Sequence, residues 1–121
     1  MVTTTSIVIA DDHYGLRKQI RNLLESTGKF TVLGEACNGV EAVTLVEKLH
    51  PHVLLLDVEM PVMGGIEVLE YLYPKKYQTK IFILSCYNDR GLMLETTSRG
   101  ASGYFLKDGD PSLMLKAIQQ V

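Results

Sequence analysis

The stretch Val53-Leu54-Leu55-Leu56-Asp57-Val58-Glu59-Met60-Pro61 decides how this chain folds. Four apolar residues in a row, preceded by Pro51-His52, are too few for a helix and fit a strand buried on both faces in the middle of a parallel sheet. Asp57 follows directly. A carboxylate placed where such a strand leaves the core stands on a rigid base, yet opens at the carboxyl edge of the sheet, where open α/β proteins bind ligands. Taken alone, Asp57 reads equally well as a turn residue that closes the strand. The flanking sequence decides between the two.

Upstream, Ser6-Ile7-Val8-Ile9-Ala10 is a β-branched run ending in Asp11-Asp12, a second acidic strand end. Leu16, Ile20, Leu23 and Leu24 form the stripe of a helix packed by one face on a sheet, with Gly28 as its C-cap. Residues 30–36 read as a strand. Asn38 and Glu41 resemble a capping box that opens a helix burying Val43, Val46 and Leu49, stopped by Pro51. Downstream, Gly64-Gly65 leads into a helix with Ile66, Leu69 and Leu72 at helical spacing, ended by Pro74. Ile81-Phe82-Ile83-Leu84 is a strand ending in Ser85, and Asn88 or Asp89 caps a helix running to Gly100. Gly91 loosens that helix and Leu92-Met93-Leu94 are consecutive, so it has the weakest stripe and is expected to be the most mobile. Tyr104-Phe105-Leu106 is the last strand, ending in Lys107. Asp110-Pro111 opens a final helix striped by Met114, Ala117, Ile118 and Val121. Five strands alternating with five helices predict an α/β fold, a parallel sheet covered on both faces with right-handed crossovers.

Composition bounds the function. With 121 residues, 46% hydrophobic and 21% charged, the chain suits one domain over residues 1–121. A net charge of -2 argues against a broad basic surface for nucleic acid. Cys37 and Cys86 lack the spacing of a disulfide framework or a zinc site and are expected to be buried thiols. His13, His50 and His52 read as surface or turn residues rather than ligands. No basic leader precedes an apolar run, and no apolar run approaches the ~20 residues of a membrane span. The expectation is a cytoplasmic protein with no membrane contact.

A parallel sheet brings its strand ends to one edge, so Asp11, Asp12, Asp57, Ser85 and Lys107 converge. Three carboxylates together repel, and hard oxygen ligands with open positions suit Mg²⁺ completed by water and a phosphoryl group. Lys107 adds a positive charge and Ser85 a hydroxyl donor. Metal, ammonium and hydroxyl match three equatorial phosphoryl oxygens in transfer to an in-line nucleophile. Asp57 is the carboxylate best placed to be that nucleophile and, ionised at neutral pH, needs no base.

These motifs resemble the response-regulator receiver domain of two-component signalling along the whole chain. They are an acidic pair after the first strand, Asp-x-x-Met-Pro after the third, Ser after the fourth, and Tyr104 three residues before Lys107 in the fifth. The resemblance implies a flavodoxin-like doubly wound (βα)5 sheet with strand order 2-1-3-4-5. It implies that Asp57 accepts a phosphoryl group from a histidine kinase or phosphotransfer protein. It also implies that Asp12, Asp57 and the Glu59 backbone carbonyl ligate Mg²⁺, with Asp11 contributing directly or through water. Ser85 and Lys107 would hold phosphoryl oxygens, and Tyr104 would be the switch aromatic that turns inward on activation. Glu59, two residues past Asp57, stands where it could position or repel the hydrolytic water.

Lys107 is followed by Asp108 where many receivers have Pro, and the Lys107–Asp108 peptide is therefore expected to be trans. The run Gly-Tyr-Phe-Leu-Lys-Asp resembles the NarL/FixJ-type subgroup, whose receivers usually precede a helix-turn-helix output domain. The expectation is a receiver cut from a longer regulator, with DNA bound only through a part beyond residue 121 and a homodimer formed on phosphorylation. A stand-alone receiver acting through protein contacts is the alternative. An aspartyl-phosphate phosphatase would show a second Asp where Glu59 stands. A flavin or nucleotide carrier would want a Gly- or Ser/Thr-rich phosphate loop where Asp11-Asp12-His13 stands.

Overall fold

The computed structural model describes residues 4–73 and 78–121. In chain order the elements are β1 (Thr5–Ala10), α1 (Tyr14–Ser26), β2 (Phe30–Ala36), α2 (Gly39–Leu49), β3 (Val53–Asp57), α3 (Gly65–Leu72), β4 (Lys80–Ser85), α4 (Arg90–Ser98), β5 (Gly103–Leu106) and α5 (Pro111–Gln119). The strands form one parallel sheet in the order β2-β1-β3-β4-β5. This is the order and class the sequence implied.

Every residue of β3 is buried, which explains its unbroken apolar run. Its side chains alternate between two cores. Leu54 and Leu56 join Val8, Ala10, Val46, Val68, Leu69 and Leu72 on the face covered by α2 and α3. Val53 and Leu55 join Ile7, Ile9, Ile20, Leu24, Met114 and Ile118 on the face covered by α1 and α5. The caps follow the sequence closely. Asn38 Oδ1 accepts from the Glu41 N–H, Asp89 Oδ1 from Leu92 N–H and Asp110 Oδ1 from Ser112 N–H. Glu41 reaches back to the Cys37 N–H, one residue before the expected partner. His52 ties the amino edge of the sheet together by accepting from the Ser6 N–H.

Several expectations are corrected. Cys37 and Cys86 are exposed, because each lies just past a strand end, where the chain has already left the core. In α3 the buried stripe is Gly65, Val68, Leu69 and Leu72, and Ile66 is only half-buried. Val121 lies beyond the last turn of α5 and is exposed. The Pro74 helix stop falls outside the described residues. Helix α4 is weakly anchored as expected: Thr96 is its only buried residue. No described peptide bond is cis, Lys107–Asp108 included.

Candidate functional site

Strand register sets the site. Ala10 pairs with Leu56, Asp57 with Leu84 and Ser85 with Leu106, so the residues at and just past these positions share the carboxyl edge. The structure brings Asp11, Asp57 and Lys107 together at the floor of that edge. Asp11 is 1% exposed and Asp57 4%. The Lys107 ammonium lies 2.9 Å from Asp11 Oδ2 and 3.1 Å from Asp57 Oδ2. It approaches both as a charge, off the hydrogen-bond direction, and neither buried Oδ2 has another donor. The remaining oxygens are held by the backbone: Asp57 Oδ1 accepts from Glu59 N–H at 3.3 Å and Asp11 Oδ1 from His13 N–H at 2.8 Å.

The electrostatics follow from this packing. Burial raises the pKa of Asp57, the Asp11 charge raises it further, and Lys107 partly offsets both. Burial by itself lowers that of Lys107, yet the Asp11 and Asp57 carboxylates outweigh it and the net shift is upward. Two buried carboxylates, with Asp12 beside them, face one ammonium. The pocket therefore keeps a net negative charge, and its two Oδ2 atoms, which share one ammonium and have no directed hydrogen-bond donor among the described residues, suit a further cation. Asp11, Asp12, His13 and Asp57 each offer one ligand atom, all within 4.8 Å of one another. This acidic pocket fits a divalent cation of hard character.

Close approach of the backbone makes the arrangement possible. A Cβ on Gly65 would stand 2.4 Å from the Asp57 carbonyl oxygen, so only glycine lets α3 start against the end of β3. Arg17 braces the other side. Its Nη1 donates to the Asp11 carbonyl at 2.7 Å while its Nε donates to Glu35 Oε1 at 2.8 Å.

Ser85 is buried, and its Oγ accepts from the Tyr87 N–H at 3.0 Å. The Tyr104 hydroxyl donates to the carbonyl of the same residue, Tyr87, at 2.6 Å. Ser85 and Tyr104 are thus linked through the backbone of Tyr87. Glu59 Oε accepts from the Tyr87 phenol, which raises the pKa of that phenol. The sequence reading missed His13, Tyr87 and Arg17. The first was legible from its place beside the acidic pair; the other two required the tertiary contacts.

With this geometry in hand, comparison with known proteins is decisive. The family model "Response regulator receiver domain" matches residues 7–119. The chain belongs to this receiver family. It is 39% identical over 115 residues to the nitrate/nitrite response regulator NarL of Escherichia coli K12, covering 95% of this chain and 53% of that protein. It is 41% identical over 102 residues to the transcriptional regulatory protein YdfI of Bacillus subtilis, covering 84% and 47%. The crystal structure of a DNA-binding response regulator of the LuxR family from Staphylococcus aureus superposes with a TM-score of 0.90 at 31% identity, covering 96% of this chain and 97% of that one. The receiver spans about half the length of the curated relatives it matches. It is a phosphorylation-dependent signalling switch of the NarL/LuxR type. No helix among the described residues is long and apolar enough to cross a membrane.

Proposed function

We propose that this receiver is the phosphoacceptor module of a transcriptional regulator and that Asp57 takes the phosphoryl group from a histidine kinase or phosphotransfer protein. The position of Asp57 carries the reading. It is buried at the end of the central strand, with Oδ1 held by the Glu59 N–H and Oδ2 beside the Lys107 ammonium without a directed donor. A carboxylate oxygen of Asp57 forms the bond to phosphorus as the phosphorus–nitrogen bond of the donor phosphohistidine breaks, and the electron pair leaves with the imidazole. Lys107 and the Ser85 hydroxyl hold the phosphoryl oxygens.

Asp11, Asp12 and Asp57, with the backbone carbonyl of Glu59, are the residues that would hold Mg²⁺. Bound there, the ion supplies positive charge that offsets the incoming phosphoryl oxygens. Asp11 and Asp57 cannot supply that charge, and Lys107 alone does not balance them.

The switch runs through Tyr87. When the Ser85 hydroxyl turns to a phosphoryl oxygen, the Tyr87 N–H loses its acceptor, the two peptide groups flanking the Tyr87 Cα shift together, and the Tyr104 hydroxyl is released from the Tyr87 carbonyl to let the ring turn inward. Because the relatives named as transcriptional regulatory proteins are about twice the matched length, we place the output in a DNA-binding part outside these residues. Dimers formed on phosphorylation would present two such parts to paired half-sites.

The test is incubation with acetyl phosphate and Mg²⁺, followed by intact mass and phosphosite mapping. One phosphoryl group at Asp57, gained only with a divalent ion present and lost in Asp57→Asn, is the expected outcome. Lys107→Ala should still be labelled but should lose the conformational response. Unchanged labelling of Asp57→Asn would overturn the assignment.

A further inference from the structure

The acidic pocket contains one group that an Mg²⁺ site does not call for. His13, the residue that caps α1, is 69% exposed as a side chain, yet its ring is turned inward. Nδ1 lies 3.1 Å from Asp11 Oδ1 and 3.3 Å from Asp12 Oδ1. Those are the separations of neighbouring ligands around an octahedral ion whose bonds are about 2.1 Å long, the length typical of imidazole nitrogen and carboxylate oxygen on a divalent metal. Asp57 completes the set, with all four ligand atoms within 4.8 Å of one another, so that closing round an ion with opposite corners about 4.2 Å apart asks for an inward shift of only a few tenths of an ångström from the ligands. Two of the carboxylates, Asp11 and Asp57, are more than nine-tenths buried, and their Oδ2 atoms have only the Lys107 ammonium beside them and no directed hydrogen-bond donor among the described residues. The cluster is therefore a built site with a nitrogen at its open rim.

We propose that His13 is a metal ligand and that it gives this receiver a second cation class: borderline divalent ions such as Ni²⁺, Co²⁺ and Zn²⁺, bound by Asp11, Asp12, Asp57 and the His13 imidazole. The chemistry is selective. Mg²⁺ dehydrates reluctantly and prefers oxygen, so an imidazole adds little to its binding, whereas borderline ions gain from a nitrogen ligand. The inference rests on the acidic pocket being the divalent site of the proposed function, and it adds that His13 decides which ions the pocket retains. The neutral ring would exchange its contact with Asp11 for the metal, with Nδ1 presenting its lone pair.

The experiment is titration calorimetry with Ni²⁺ and with Mg²⁺ on the intact chain, His13→Ala and Asp12→Asn, joined to long-range ¹H–¹⁵N spectra of the three histidines during Zn²⁺ addition. His13→Ala should weaken Ni²⁺ by roughly tenfold or more while Mg²⁺ changes less than about twofold. The His13 ring nitrogens should shift with Zn²⁺ while those of His50 and His52 stay in place. Equal loss of both metals, an unchanged Ni²⁺ affinity in His13→Ala, or shifts confined to His50 and His52 would overturn the role of His13. The underlying divalent site fails separately, if neither metal binds the intact chain or if Asp12→Asn leaves both affinities unaltered. Because His13 is exposed and its side chain makes no cap bond to the helix, loss of folding does not confuse the reading.

Discussion

Val62 shows how the loop that carries Glu59 is held. It has φ 69°, a left-handed conformation that a β-branched side chain resists, and the Met63 N–H donates to the Pro61 carbonyl across it at 2.7 Å. The side chain is 80% exposed and gains nothing from packing. The strain is on the order of 1–3 kcal/mol. Glycine adopts this φ freely but loses more entropy on folding, about 0.5–1 kcal/mol. Val62→Gly is therefore expected to stabilise the receiver by about 1 kcal/mol, a rise of roughly 3–6 °C in thermal midpoint by calorimetry. A lower midpoint would show that the loop draws its conformation from elsewhere. Nothing in the run Met-Pro-Val-Met-Gly-Gly marks Val62 as left-handed. A reading of the residues would have assigned that role to one of the glycines, and the loop's closure against β3 and α3 decided otherwise.

At the level of elements, α1 is clamped to β2 by a single carboxylate. Glu35 Oε1 accepts from Arg17, and Oε2 accepts from Lys18 and Arg21, at 2.6–2.8 Å. Burial raises the Glu35 pKa, but the three cations prevail and bring it from 4.5 to about 2. A depressed carboxylate contributes stability that is complete above its unfolded value and is lost as pH falls through the folded one. The clamp should therefore weaken between about pH 4.5 and pH 2. With Lys18 and Arg21 each more than a third exposed or close to it, its contribution is discounted to ~1–2 kcal/mol. Glu35→Gln is expected to lose that amount at pH 7 in urea unfolding, with the difference closing toward pH 2. A difference independent of pH would assign the loss to packing.

Helix α4 is the opposite case. Thr96 alone anchors it, whereas α2 buries Gly39, Ala42, Val43 and Val46. Few buried contacts mean low local stability. On phosphorylation, hydrogen exchange should change most within residues 86–105, which include Tyr87, α4 and Tyr104. A response limited to α1 and α2 would reject the Ser85–Tyr87–Tyr104 route.

Across the whole molecule, the net charge of -2 sets an expectation for DNA. Residues 1–121 alone should show only weak, salt-sensitive retention on duplex DNA in fluorescence anisotropy, and tight sequence-specific binding would contradict an output located elsewhere. The sequence by itself determined the sheet, because apolar runs and helical stripes report directly which face of each element is buried. It also made legible that Asp11, Asp57, Ser85 and Lys107 gather at the carboxyl edge, because they sit at or beside strand ends and parallel strands must bring those ends to one edge. Beyond the strand ends periodicity carries no information. There only the tertiary structure decided that Cys37 and Cys86 face solvent, that His13 turns its ring to Asp11 and Asp12, and that the backbone of one residue, Tyr87, stands between Ser85 and Tyr104. Those placements depend on contacts between segments far apart in the chain, and no local pattern encodes them.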